Sequence, residues 1–412
     1  MKIIHINTSD KGAGAPNAVL RLHRSLISQK IDSEVWVNNK YSNEPKVFSP
    51  FGNLFNVKKK IKLYFKLIFV KALRTTNGIL HSPQLFSSKQ WVDLINKSQA
   101  DIIHLHWFQQ EMLSVTDLKK IKKPLVWTFH DMWPFCGAEH VSYDSRYIEG
   151  YNKFNRPDFE QGFDINKWVW TKKRKNLTEP IQVIAPSKWM KQSVRKSFLM
   201  KKWPIVCIHN AIDLNIWSPI NKKSSRNFFN LPNDLDLILF GSASGTKDYH
   251  KGYDLLTNAI KKLEQIKLNR KLGLVIFGES KPLNPPKFNL PVYYLGYLSS
   301  QTSLRNAYSA VDLTVLPSRI DNLPNIGIEA NACGTPVIAF NTCGIPSIIK
   351  NKFNGYLAKP FDIDDLVKGI LWVLNNNNMQ LRSNCRKHVV DNFDSKKIAL
   401  EHIELYKKVL NK

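Results

Sequence analysis

Two carboxylates and two lysines mark the part of this chain best suited to chemistry. Asp321 and Glu329 stand in the segment from Pro317 to Phe340, which reads PSRIDNLPNIGIEANACGTPVIAF. The segment follows one apolar run, Leu313 to Leu316, and closes on another, Val337 to Phe340. A loop between a strand end and a helix start offers unpaired backbone N–H groups and the positive end of a helix dipole, so it can hold a diphosphate. The amides of Asn325, Ile326 and Gly327 fall at that place. Ionised carboxylates beside it suit sugar or ribose hydroxyls, because they are strong acceptors for O–H donors. An ordinary strand–loop–helix with surface acids has the same spacing. Upstream, the run Leu235 to Phe240 leads into GSASGTKDYHKGYDLL. Gly241 and the small residues after it keep the backbone open to a ligand, while Lys247 and Lys251 bring positive charge near a helix start. A departing nucleoside diphosphate gains negative charge, which a fixed cation stabilises.

The first half holds a second set. His130 closes an apolar run at 124–130. Open α/β sheets bind ligands beyond the carboxyl ends of their strands, so a reacting group belongs there. A structural, hydrogen-bonded histidine reads the same way. His104 and His106 alternate along 101–107 and so share one face. No third ligand lies within reach by spacing, so they read as polar residues at a sheet end and not as a metal pair. No Asp-x-Asp metal motif is visible, and no metal or other cofactor is expected. After the first strand, Gly12 and Gly14 lie in a turn opening a helix, which lets a ligand approach the backbone. The turn is neither Gly-x-Gly-x-x-Gly nor a P-loop, and a plain tight turn explains it equally. From Tyr151 to Lys175 aromatic and basic residues crowd together. They fit a sugar-and-phosphate platform, and they fit a solvated basic helix beside core tryptophans.

These residues need a frame. Strands are expected at 2–6, 33–37, 101–107, 124–130, 181–185 and 204–209, then at 235–240, 272–277, 291–296, 313–316 and 336–340. Runs such as Leu272 to Phe277 hardly alternate, as strands buried on both faces of a parallel sheet do. Strands alternating with helix-length segments give a doubly wound α/β fold, here in two copies. The turn-rich stretch Asn210 to Asn230 divides them. This gives domains at 1–210 and 211–394, with an amphipathic helix at 395–412. One further helix, 57–74, sets Lys58, Lys62 and Lys66 against Ile61, Phe65, Ile68 and Ala72. Such a helix suits an anionic membrane surface, and a surface helix packing its apolar side on the domain has the same pattern.

Composition sets the outer bounds. The chain has 412 residues, 43% of them hydrophobic, enough for two or three domains and large cores. No run approaches the ~20 apolar residues that cross a bilayer, and no signal peptide is visible. Five scattered cysteines without a Cys-x-x-Cys pair fit a reduced, cytoplasmic setting. A net charge of +27 calls for anionic partners: nucleic acid, anionic lipid or phosphorylated substrates.

The segment with Asp321 and Glu329, followed by Ala-Cys-Gly-Thr-Pro-Val, resembles the C-terminal motif of the family 4 retaining glycosyltransferases. Asp321 stands where that family usually has its first Glu, and Asn322-Leu323-Pro324 replaces a common Gly-Phe-Gly. Thr-Phe-His-Asp-Met-Trp, from Thr128 to Trp133, resembles the bacterial surface-polysaccharide subgroup. The resemblance implies the GT-B architecture: two doubly wound Rossmann-like domains facing a central cleft, an N-terminal acceptor domain and a C-terminal donor domain, with the last helix crossing back to the first. It implies transfer of a sugar, with retention and without a metal, from a nucleotide-diphospho-sugar to a glycan or lipid-linked acceptor, as in lipopolysaccharide, O-antigen or capsule synthesis. It places His130, and His130 alone, on the donor sugar; Asp131, Glu139 and His140 are candidates for the acceptor side. Gly12 and Gly14 match a loop near the donor phosphates, and Gly296, Tyr297 and Leu298 match a loop against the nucleotide base. Residues 57–74 then imply a peripheral position on the inner face of the cytoplasmic membrane, and no nucleic acid is expected. Other readings are a basic protein binding nucleic acid or membrane, or a sugar-nucleotide epimerase or phosphorylase on the same fold.

Overall fold

The structure, a computed structural model, describes residues 1–12, 14–51, 53–75, 78–242 and 245–411, without the side chains of 53–59. The chain divides into two compact units, Met1–Ala211 with Ile398–Lys412, and Ile212–Lys397.

The first unit carries strands β1 (Lys2–Ser9), β2 (Asp32–Asn39), β3 (Val47–Phe48), β4 (Leu73–Thr75), β5 (Ile102–Leu105), β6 (Leu125–Thr128), β7 (Glu160–Gly162), β8 (Gln182–Ala185) and β9 (Ile205–Cys207). Seven of them form one parallel sheet in the order β3-β2-β1-β5-β6-β8-β9, and β4 pairs antiparallel with β7 outside it. Strand order reverses between β1 and β5, which opens a crevice at their carboxyl ends. The helix Ser395–Leu410 closes this unit's core. Its Ile398, Ala399, Ile403, Leu405 and Tyr406 pack with Ile3, Leu22, Ile102 and Ile184.

The second unit carries β10 (Asp236–Gly241), β11 (Leu272–Phe277), β12 (Val292–Tyr294), β13 (Leu313–Leu316), β14 (Val337–Phe340) and β15 (Gly355–Ala358). They form one parallel sheet in the order β12-β11-β10-β13-β14-β15, reversing between β10 and β13. Leu237 and Leu239 face one apolar cluster, Ile238 and Phe240 the other. Val337 and Ala339, against Ile338 and Phe340, divide in the same way. Alternate side chains on opposite faces, both covered, produce the unbroken apolar runs of the sequence. Each fully buried Leu, Ile or Phe contributes about 1.5–3 kcal/mol.

Every strand expected from the sequence forms, with ends shifted by a few residues. The helix Asn53–Lys71 departs from expectation. Lys66 turns inward and is only 9% exposed, whereas Ile61, Tyr64, Phe65, Leu67 and Ile68 are 50–63% exposed. Burial lowers the Lys66 ammonium's pKa, partly offset by the nearby Glu111 carboxylate. Phe69 packs on Leu73, Ala138, Ile165 and Val169, and the Phe65 ring meets that of Phe86, while the exposed apolar residues form an outward stripe with exposed Lys60 and Lys71 at its ends. The side chains of Val57 and Lys58 lie outside the described residues.

Candidate active site

The crevice of the second unit lies after β10 and β13. The turn Tyr249–Lys251 follows β10 and feeds the helix Tyr253–Leu263; the loop after β13 feeds the helix Asn325–Ala332. Lys251 Nζ donates to Asp321 Oδ2 at 2.6 Å, joining the two segments by an ion pair. The Lys251 side chain is 33% exposed and that of Asp321 15%. Burial alone would lower the Lys251 pKa, but the Asp321 charge and hydrogen bond outweigh it and raise it. Lys251 is thus a fixed ammonium. The backbone ties the same segments together: Arg319 N–H donates to the His250 carbonyl at 2.8 Å. The Arg319 guanidinium grips Asp254 through bonds of 2.8 and 2.6 Å and lies 3.9 Å over the Tyr249 ring. Its hydrogen bonds hold the Asp254 carboxyl below the usual range.

Gly252 makes this approach possible. Its φ is +67°, and a Cβ there would sit 2.0 Å from the Pro317 carbonyl oxygen. Gly252→Ala is expected to cost about 1–3 kcal/mol for the backbone conformation alone, with the clash in addition. A urea midpoint unchanged from wild type would show that the two loops do not need this contact.

Glu329 is buried, and Tyr308 Oη donates to its Oε2 at 2.8 Å. Of the amides expected to meet phosphate, that of Gly327 already donates to the Pro324 carbonyl at 3.1 Å. Gly327 also lets the helix pack, since a Cβ would come within 2.8 Å of Leu316. Asn325 and Ile326 form the first turn of that helix. Gly241 is explained by packing as well: a Cβ would overlap the Phe277 ring at 2.1 Å. Lys247 is exposed on the turn Gly245–Lys247, where Thr246 N–H is held by Glu279 Oε2 at 3.1 Å. The Gly296 carbonyl accepts from Gly278 N–H at 2.8 Å, Tyr297 is 72% exposed, and Leu298 packs against the core.

In the first unit, Gly14 caps the helix Ala15–Ser28 with φ 72°, and Gly12 is exposed in the preceding turn. His130 sits half-buried just past β6. Behind it runs a file of imidazoles. His130 Nε2 lies 3.0 Å from His106 Nδ1, and His106 Nε2 lies 3.0 Å from His5 Nδ1. His104 shares the face with His106, as alternation predicts, and bonds the Tyr406 and Thr128 hydroxyls at 2.7 Å each. The third imidazole that spacing could not supply, His5, arrives from β1, whose register places it beside His104. Burial keeps His130 neutral, with its pKa lowered to about 4.

The residues expected on the acceptor side lie largely inside the fold. Glu139 is 2% exposed; it accepts from the Tyr151 hydroxyl, and burial raises its pKa. His140 is 5% exposed, with Nδ1 2.6 Å from Asp131 Oδ2 and Nε2 2.8 Å from Ser82 Oγ. Both are committed to the interior. Asp131 also accepts from Trp107 Nε1 at 2.9 Å and Trp133 N–H at 3.0 Å. Burial pushes its pKa up, yet the charge and hydrogen bond of His140, with these donors, hold it below the usual range. The segment from Tyr151 to Lys175 divides: Phe154, Phe159, Phe163, Trp168, Arg174 and Lys175 are exposed, while other members turn inward. Tyr151, Trp170 and Lys173 are buried, and the Lys173 ammonium donates to the Trp133, Cys136 and Gly137 carbonyls.

Two family models match the chain in tandem: Glycosyltransferase Family 4 over residues 13–216 and Glycosyl transferases group 1 over 221–389. The chain belongs to glycosyltransferase family 4. An uncharacterised glycosyltransferase of Methanocaldococcus jannaschii is 28% identical over 257 residues, 59% of this chain and 64% of the relative. The UDP-Gal:α-D-GlcNAc-diphosphoundecaprenol α-1,3-galactosyltransferase of Escherichia coli is 30% identical over 138 residues, 32% of this chain and 36% of the relative. The matches thus span less than two thirds of these relatives' lengths. The crystal structure of Anabaena HepE in complex with UDP and glucose aligns over 99% of this family 4 glycosyltransferase and 100% of HepE, with a TM-score of 0.63 at 16% identity. The two Rossmann-like units of this glycosyltransferase are those of the GT-B fold.

Proposed function

We propose that this glycosyltransferase moves a sugar, with retention and without a metal, from a nucleotide-diphospho-sugar to a glycan or lipid-linked acceptor in bacterial surface-polysaccharide synthesis. The observation that carries the reading is the Lys251–Asp321 pair at the point where strand order reverses in the second unit. Lys251 meets the diphosphate, with Lys247 as a second cation and the first-turn amides at Asn325 and Ile326 beside them. Asp321 takes donor-sugar hydroxyls and Glu329 the ribose or sugar. The amide of Gly327 serves the helix turn and not the ligand, and Gly241 serves packing. Gly296, Tyr297 and Leu298 border the base, and Gly12 and Gly14 the phosphates. His130 hydrogen-bonds the sugar. The acceptor attacks from the face the leaving group departs, and the departing phosphate takes its proton.

The test is a thermal-shift screen of UDP, GDP and ADP with their common sugars, on wild type and Glu329→Ala, with and without EDTA. One nucleotide is expected to raise Tm, by an amount EDTA leaves unchanged and the variant loses. A ligand at ~100 times its Kd adds about 2.7 kcal/mol. No shift with any nucleotide, beside a strong shift with polyanions, would sink the reading. Retention is read by NMR as the same anomer in donor and product.

An anionic membrane surface is the proposed setting. No helix among the described residues is long and apolar enough to cross a membrane. The outward stripe of Asn53–Lys71 instead suits shallow insertion, with Lys60 and Lys71 at the headgroups. The name of the E. coli relative records a diphosphoundecaprenol-linked sugar. Vesicles containing anionic lipid are expected to co-sediment with wild type and to release Ile61→Ser/Phe65→Ser/Ile68→Ser; equal sedimentation would remove the helix from the proposal.

A further inference from the structure

The antiparallel pair β4–β7 stands outside the main sheet and ties two surface helices together. The helix Asn53–Lys71 runs into β4, and β7 runs into the helix Ile165–Asn176. The seam between them is close. Gly162 has φ +71°, a Cβ there would sit 2.3 Å from the Ala72 carbonyl oxygen, and Phe163 N–H donates to that oxygen at 3.0 Å. The Phe69 ring lies 5.6 Å from that of Phe163 and 5.3 Å from that of Trp168, both exposed. Phe65, one turn before Phe69, belongs to the outward stripe, so the stripe continues onto the second helix. There it meets an open groove of about 520 Å³, lined by Phe163, Lys167, Trp168, Lys172 and Lys175 among others. Lys172 is partly engaged: its ammonium donates to the Gln84 carbonyl at 2.8 Å and stands 5.2 Å from the centre of the Trp168 ring. One acid, Asp164, lines the groove too. It caps the helix by accepting from Lys167 N–H at 2.9 Å and lies 3.9 Å from the Arg156 guanidinium. The balance of charge in the groove is positive.

We infer that this groove seats the anionic headgroup of a phospholipid, with the phosphate at Lys167 and Lys175 and the acyl chains beside Trp168, Phe163 and the stripe of Asn53–Lys71. The inference deepens the proposed membrane setting and rests on it. Charge complementarity points to an anionic occupant, since a chain of net charge +27 gathers three lysines around one groove. The aromatic lining selects lipid among anions. Tryptophan settles at headgroup level, its ring body in the apolar layer and its N–H in the polar one. Lysine stems lie along apolar surface while their ammonium groups reach the phosphates. A nucleic-acid backbone would use the lysines but leave Ile61, Ile68 and Phe163 in water. The stripe thus supplies insertion, and the groove adds a preference for anionic lipid.

The test sediments full-length protein with vesicles of phosphatidylcholine alone and of equal parts phosphatidylcholine and phosphatidylglycerol. Lys167→Gln/Lys175→Gln lowers the charge of the groove and leaves Lys172 in place. It is expected to reduce partitioning into the mixed vesicles about 30-fold, about a factor of five for each lysine, and to leave sedimentation with phosphatidylcholine unchanged. Lys261→Gln/Lys267→Gln removes the same charge from exposed positions of the second unit and is expected to leave the preference for mixed vesicles in place. Equal losses in the two double variants would reduce the groove to general charge and overturn the inference. So would a groove variant, its fold checked by melting temperature, that partitions like wild type. Retained vesicle binding beside lost binding to a DNA duplex would also overturn it, in favour of nucleic acid. The stripe is scored separately. If Ile61→Ser/Phe65→Ser/Ile68→Ser binds as wild type does while the groove variant fails, the stripe falls and the headgroup seat stands; the reverse result removes the seat and keeps the stripe. A wild type that sediments with neither vesicle removes the membrane setting, and the seat with it.

Discussion

Lys251→Met is expected to lower kcat/KM by about 10²–10³-fold, about 2.7–4 kcal/mol of transition-state stabilisation. Lys251 is held 2.6 Å from Asp321, and that contact keeps it charged despite partial burial. A leaving diphosphate gains charge as the glycosidic bond breaks, so the ammonium acts more strongly on the transition state than on bound donor, and kcat should fall more than KM rises. Methionine also strips Asp321 of its counter-ion. Asp321→Asn should therefore rescue part of the stability of Lys251→Met but none of its activity. The double variant should be less damaged in stability than the sum of the singles. A loss of less than tenfold in kcat/KM would remove Lys251 from the phosphate.

The second large effect is acid sensitivity of the first unit. His402 is 4% exposed, and burial lowers its pKa to about 4. Burial also lowers His5, His104 and His106 well below the ordinary 6.5, and His130 to about 4. In the unfolded chain these groups take up protons below about pH 6.5, while in the fold they do not. The unfolded state therefore binds more protons in that window, and stability falls as pH drops from about 6.5 towards 4. Each histidine adds up to about 1.4 kcal/mol per pH unit, and His402 alone on the order of 3 kcal/mol in all. Glu139 works in the opposite direction: its raised pKa favours the fold as pH falls. Urea unfolding at pH 7.5, 6.5 and 5.5 should show a steep decline, made shallower by up to about 1.4 kcal/mol per unit in His402→Leu. Equal stability at all three values would mean that the imidazoles are charged or solvated in the fold.

The sequence was legible where one strand carries its own information. Leu235 to Phe240 and Val337 to Phe340 announce two buried faces without reference to any partner. Asp321, Glu329, Lys251 and His130 stood out as candidates because strand ends in parallel sheets are where ligands bind. What stayed hidden depends on pairing between distant segments. His5 gave no signal, since only the β1–β5 register sets it beside His104. Arg319 and Asp254, which lock the two loops of the second crevice, stand 65 residues apart, and no local pattern pairs them. The helix Asn53–Lys71 was read for amphipathicity, but the pattern cannot say which side faces the domain, and Lys66 faces in. Strands β3, β4, β7 and β15 are two to four residues long, too short for a period to show.

The helix that completes the first unit's core lies beyond residue 397, after the whole of the second. On the ribosome, Ile3, Ile102 and Ile184 must therefore wait for Ile398, Ala399, Ile403 and Tyr406, while Ile212–Lys397 is one uninterrupted stretch that can fold as soon as it emerges. The order of maturation thus inverts the order of synthesis. A stop codon shortly after residue 397 would spare the unit made last and leave open the one made first.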